Sequence, residues 1–389
     1  MTTAIPSKRI NSIDILRGII MVIMALDHAR DYFSSYSGDP LDFNRVGTFM
    51  FFTRWITHFC APVFVFLAGT SAFLSLGKGK SKKEMSWQLF TRGLWLVVLE
   101  VTVIRFGWQF NVDYSLVIFQ VIWAIGCSMI FLSLMIYLPK PVILGIGLLL
   151  IFGHNKLDLV QAKDIGITEG LWDVLHVQAP IHFTNGNILF VIYPLIPWIG
   201  VMAVGYCFGA IFKMQEQQRN KWLYSIGISA ILLFIIIRYN NIYGDPRIWQ
   251  HQNSLFHNIL AFIRCQKYPP SLDYLLMTIG PAIMVLPLLE KLSSSIGNVF
   301  TVYGRVPMFY YILHIYLLHA MALITGLLMG FPSTYFTTNG ALFGDKHGWG
   351  FGLGVVYIYW LTAVIILYLP CKWFMNVKMT HKKWWLSYL

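Results

Sequence analysis

Asp14, Arg17 and His28 share one apolar run, Ile13 to Phe33, whose interior is otherwise almost free of charge. On a helix turning ~100° per residue, the three fall within about 60° of one another, and Arg17 and His28 lie ~16 Å apart along the axis. A charged group near the centre of a membrane helix costs on the order of 2.5–3.5 kcal/mol, so its presence marks a pathway or a site. An Asp–Arg pair one turn apart can hold a guanidinium fork for phosphate, and an imidazole can trade protons at neutral pH. The stripe therefore joins anion-binding chemistry at one end to acid–base chemistry at the other.

Further residues extend each end. His58, in Thr57-His58-Phe59-Cys60-Ala61-Pro62, is expected at the depth of His28 and in the same pocket. Two histidines beside Asp27 and Asp31 suit abstraction of a proton from an acceptor hydroxyl or amine. His28, His58 and Asp27 are thus the catalytic candidates, with Asp31 and His314 as candidates for holding substrate. His314 falls about nine residues into its own span, where an unpaired ring is costly, so a helix-to-helix hydrogen bond is its plainer role; His319 is similar. Arg17, Arg92 and Arg305 all fall near helix ends on one side and could gather on phosphate, although each alone could also snorkel to headgroups. Glu100 and Arg105 read as a helix-packing ion pair.

The elements that must position these groups are helices. Only 12% of the 389 residues are charged, 57% are hydrophobic, and the mean hydropathy is +0.62. Repeated apolar runs of bilayer length then leave an all-α polytopic bundle as the fold class. About ten spans are expected: 13–33, 54–76, 87–106, 115–138, 141–153, 188–212, 221–239, 272–290, 302–329 and 351–375, forming one domain. The fifth, bounded by Pro141 and His154, is short for a full crossing. Even parity puts both termini on one side, and most of the 29 Lys and Arg fall there, which makes that side the cytoplasm. The net charge of +12 is thus a topology signal, and no nucleic-acid partner is expected. Lys8 and Arg9 precede the first run without a cleavage site after it, so that run is kept as a helix. Lys78-Gly79-Lys80-Ser81-Lys82-Lys83 reads as a basic hairpin near anionic lipid.

The longer connections, 34–53, 154–187 and 240–271, lie on the outer side. Their Trp172, His176, His182, Trp249, His251 and His257 could shape a vestibule or cap the bundle. The odd cysteine count and the missing metal-ligand spacing predict neither a disulfide framework nor a metal. Without a P-loop or an internal repeat, an ATP-driven pump and the inverted-repeat transporters lack support.

Four stretches together resemble the membrane acyltransferase family of heparan-α-glucosaminide N-acetyltransferase, and more closely its bacterial branch. They are Ser12–Gly18, Pro62–Gly69, Tyr193–Gly200 and Gly304–His314, in order across most of the chain. The resemblance implies a multi-pass helical protein of the bacterial inner membrane. It would take acetyl-CoA or another acyl-CoA from the cytosol and pass the acyl group to a sugar or glycan-type acceptor on the far side. It carries over Asp14 and Arg17 as the motif supporting the coenzyme. The lysosomal enzyme's catalytic histidine lies in the loop after the first span, where residues 34–53 here hold none. His28 and His58 are therefore offered on depth and chemistry.

Two readings follow. One is an acyl-CoA-dependent acyltransferase with coenzyme phosphates on Arg17, Arg92 and Arg305. The alternative is a transporter or flippase for a small or lipid-linked polar molecule, using the same stripe as its path. The acceptor, the acyl group and a homodimer are left open.

Overall fold

The run from Asn11 to Phe33 folds as helix α1 in the computed structural model, which describes residues 10–76, 79, 81–292, 295–340, 348–381 and 383–388. Lys8, Arg9, Lys78 and Lys80 lie outside the described residues. After α1 come α2 (Thr48–Ile56), α3 (Cys60–Leu76), α4 (Lys82–Leu99), α5 (Arg105–Gln109), α6 (Val121–Met135), α7 (Lys140–Gly153) and α8 (Glu169–Leu175). The second half adds α9 (Leu195–Phe208), α10 (Glu216–Asn240), α11 (Leu255–Ile263), α12 (Leu272–Lys291), α13 (Ser295–Arg305), α14 (Pro307–Leu328), α15 (Thr334–Thr337) and α16 (Leu353–Thr380).

Among the described residues, seven stretches are long and apolar enough to cross a membrane: Thr48–Ser75, Lys140–Leu159, Leu195–Lys213, Glu216–Asn240, Leu272–Lys291, Pro307–Leu328 and Leu353–Thr380. Of the remaining expected spans, α1 carries more charge than these, and α6 is only 15 residues long. The fifth expected span does not stop at its glycine. A 3₁₀ turn, His154–Leu159, prolongs α7 to a 20-residue stretch.

The expected span 302–329 is two helices. Pro307 has no N–H to donate and disfavours helical backbone in the residue before it, and Val306 accordingly leaves the helix at φ −128°, ψ 49°. Freed by that break, α13 lies flat against α1. Contact is backbone to backbone: a Cβ on Gly304 would stand 1.8 Å from the Asp14 carbonyl oxygen, and one on Gly18 would stand 1.8 Å from that of Phe300. Small residues let membrane helices approach this closely. The same device recurs where Gly93 faces Gly126 and Gly147 faces Gly200. Gly304→Val therefore has to part α1 from α13, a cost of roughly 1–3 kcal/mol by analogy with overpacked cores. The thermal midpoint in detergent should fall, and an unchanged midpoint would refute the close packing.

Arg305 joins the two described chain ends. Its Nε lies 3.5 Å from Asp14 Oδ2 on α1, and its Nη1 lies 3.5 Å from Met379 Sδ on α16. That end of the bundle is the termini face, and the long connections collect at the opposite loop face. There Arg238, buried, donates to the carbonyls of Arg247 (2.7 Å), Phe262 (2.9 Å) and Arg264 (3.0 Å), which pins residues 240–271 over the bundle. A small sheet adds to the cap: β1 (Leu116–Phe119), β3 (Ile188–Val191) and β2 (Ala179–His182), in that spatial order. β1 runs parallel to β3 and β2 antiparallel. The all-helical reading did not anticipate these four-residue strands, which are too short to show period-two alternation.

Candidate active site

Arg17, Met21, Met24 and His28 recur at helical spacing on one face of α1. The first three line a cavity of about 260 Å³ toward the termini face. Arg92, Arg305 and Lys378 share its wall with Arg17, and no acidic side chain does so among the described residues. Past these cations the wall turns apolar, with Phe64, Leu96 and Ile125, and it includes Tyr311. Arg17 is held by three helices. Its Nη1 meets Asp14 Oδ1 at 3.2 Å and donates to the Gly304 carbonyl at 3.1 Å, while Nη2 donates to Ser71 Oγ at 2.8 Å.

The Tyr311 ring stands edge-on to His28 at 6.1 Å, so the cavity wall touches the next group along α1. His28 Nδ1 lies 2.6 Å from His314 Nε2, with the rings stacked at 4.9 Å. Hydrogen-bond logic orders the protons. His314 Nδ1 faces the Tyr310 carbonyl at 3.0 Å, and a carbonyl only accepts, so that nitrogen carries hydrogen. Neutral His314 then has a bare Nε2, which must accept from His28 Nδ1–H. Neutral His28 is left with a lone pair on Nε2, the form a general base needs.

A second cavity, about 280 Å³, opens among the loop-face connections; Arg30, Asp31, Arg54, His58, Lys267 and Tyr268 are in its wall. His58 is buried, packs edge-on against Tyr274 at 5.2 Å, and has no partner for Nδ1 among the described residues. Asp27 lies among the same groups. Its oxygens meet Arg30 Nη1 (2.6 Å), Arg54 Nη1 (2.7 Å) and Lys267 Nζ (3.8 Å), and Thr57 Oγ1 donates to it at 3.0 Å. Asp39, in the connection after α1, takes Arg264 at 2.8 Å. Burial works to raise its carboxyl, but the Leu41 amide and Arg264 outweigh that and hold it below the usual carboxylate range. Burial likewise works against the Tyr268 phenolate, yet Lys267 and Arg54 beside it bring the phenol below its ordinary value.

The expected grouping is thus partly rearranged. Arg17, Arg92 and Arg305 do converge on one cavity, Asp14 standing outside its wall and pairing with Arg17 and Arg305, and Asp31 lines the other, 2.6 Å from Arg30 Nη2. His28 bonds to His314, whereas His58 belongs to the loop-side wall. Asp27 is committed to three cations. His319 bridges the carbonyls of Gly107 (2.8 Å) and Phe336 (2.9 Å), which is a packing role. Glu100 and Arg105 do not pair. Glu100 accepts from the Trp123 N–H at 2.9 Å, in the first turn of α6, where the helix dipole favours a carboxylate. Arg105 instead caps the loop at Asn111 and Asn339, at 2.8 and 3.0 Å. Reading the sequence missed Arg54, Lys267, Ser71 and Tyr311. Arg54 stands one turn before His58 and could have been found on that spacing; Lys267 sits in a connection with no periodicity to flag it.

A family model described as heparan-alpha-glucosaminide N-acetyltransferase, catalytic, matches residues 9–242, more than half of the chain. It takes in α1 to α10 and stops short of the helices that carry Arg305 and His314. No curated protein matches the chain.

Proposed function

The chain belongs to the heparan-alpha-glucosaminide N-acetyltransferase family, and on that premise we propose that it moves an acetyl or related acyl group across the membrane, from acyl-CoA at the termini face to a polar acceptor at the loop face. One observation carries the reading: a cavity with four cations and, among the described residues, no carboxylate in its wall, apolar beyond them, and bounded by a tyrosine that touches His28. The cations suit the phosphates of coenzyme A, with guanidinium matching phosphate geometry, and the apolar stretch suits the acyl arm. The termini face is then the cytoplasmic side, as the positive-inside rule requires. Residues Asp14 and Ser71 act by fixing Arg17.

The acceptor, a sugar hydroxyl or amine, enters from the loop-side cavity past His58 and Asp31. His28 Nε2 takes its proton as the acceptor oxygen or nitrogen attacks the thioester carbon. The new C–O or C–N bond forms, the C–S bond breaks, and the proton passes on to the departing coenzyme thiolate. His314 acts as the positioning residue, accepting from His28 Nδ1–H and so keeping Nε2 bare.

Acetyl-CoA should raise the thermal midpoint of the purified protein, and radiolabelled acetyl should reach a glycan acceptor. Arg17→Ala removes one charge-assisted contact, worth roughly 1.5–3 kcal/mol, so coenzyme affinity should fall by about 10- to 150-fold. Arg17→Lys should recover only part of it. Substrate uptake into liposomes with no acyl product and no coenzyme effect at millimolar concentration would instead establish a transporter.

A further inference from the structure

Away from both cavities, the 3₁₀ turn that prolongs α7 meets the end of α8. His154 and Asp158 lie one turn apart on the first, and His176 follows the second. Each offers a ligand atom, and these atoms lie within 4.8 Å of one another. His176 Nε2 stands 2.9 Å from Asp158 Oδ1, and the two imidazole rings are 6.0 Å apart. Both histidines are only 1% exposed.

Their hydrogen bonding does not close. A neutral imidazole offers one donor and one acceptor, and buried polar groups are normally paired. Among the described residues, neither nitrogen of His154 has a protein partner, and neither does Nδ1 of His176. Two buried rings aimed at one carboxylate, with lone pairs unused, form a donor set of two nitrogens and one oxygen. Asn155 Nδ2 steadies that carboxylate from behind, donating to Asp158 Oδ2 at 2.9 Å.

We propose that His154, Asp158 and His176 bind a divalent transition-metal ion, zinc being the best match, with water as the fourth ligand. Imidazole nitrogens select zinc over calcium and magnesium, which want oxygen. The role is structural. Asn155 Oδ1 also accepts the Leu272 N–H at 2.9 Å, at the start of α12, so a metal here would tie α7, α8 and α12 into one loop-face cap. The inference does not depend on the acyltransferase reading, because none of the three residues lines either cavity.

The test uses the full chain in detergent, stripped with chelator, incubated with micromolar zinc chloride and desalted. Elemental analysis should find about one zinc per chain, as a single three-residue site requires. The thermal midpoint should rise with zinc and stay put with calcium or magnesium. Asp158→Ala, at the more exposed ligand, and the double variant His154→Gln/His176→Gln should each lose the zinc. His182→Gln, a loop-face histidine outside the cluster, should keep it. Wild-type protein that retains almost none, or Asp158→Ala protein that retains as much as wild type, overturns the site; the first outcome stands even if the double variant misfolds.

Discussion

His28→Ala should lower acyl transfer by about 10²- to 10⁴-fold, the usual contribution of a positioned general base. The expectation rests on the proton order across the buried pair, in which Tyr310 fixes His314 and His314 fixes His28. Acetyl-CoA binding should survive, since the cationic wall is untouched, so single-turnover rates must fall while the coenzyme-induced thermal shift remains. His314→Ala should slow the reaction less, because the base is still present and only its tautomer is released. The double variant should be little worse than His28→Ala, since residues acting as a unit are not additive. A His28→Ala protein that transfers acetyl within about threefold of wild type, far inside the range for a lost base, would remove His28 from the mechanism.

Asp27→Asn should produce the largest loss of stability. The carboxylate is shared by Arg30, Arg54 and Lys267, all largely shielded from solvent, and among the described residues only Arg30 forms a second ion pair, with Asp31. Removing one partner of a buried charge cluster leaves the others uncompensated and costs roughly 3–5 kcal/mol. The amide keeps the shape of the side chain, which isolates charge from packing. Thermal unfolding in detergent should show a fall of many degrees, and Arg54→Met alongside Asp27→Asn should restore part of it. A fall under about 2 °C, the response of a large domain to less than ~1 kcal/mol, would show that the cations do not depend on Asp27. Asp27 is therefore cast here as the anchor of the loop-side cavity, and proton abstraction is left to His28.

Legibility followed the range of the interaction. Arg17 with Asp14 was readable because one helical turn separates them, and the helix period alone brings them together. The break at Pro307 was equally local in cause, though an apolar run on both sides concealed it. Lys267 gave no signal, since it reaches Asp27 from a connection whose path is set by buried Arg238. The cluster of His154, Asp158 and His176 was hidden for a related reason. Two of its residues are a turn apart, but the third arrives only after α8 has folded back.

By itself the sequence determined the helices, the charged stripe on α1 and the family, because hydropathy, period and short motifs are properties of neighbouring residues. Only the tertiary structure decided which groups meet. Glycine contacts of the kind between Gly18 and Phe300 bring distant helices to backbone distance, and that approach sets Arg305 beside Asp14. In the same way, α14 packed on α1 gives His28 its partner in His314, 286 positions away, in place of the nearer His58. Such pairings depend on how whole faces fit together, a long-range matter that no local pattern encodes.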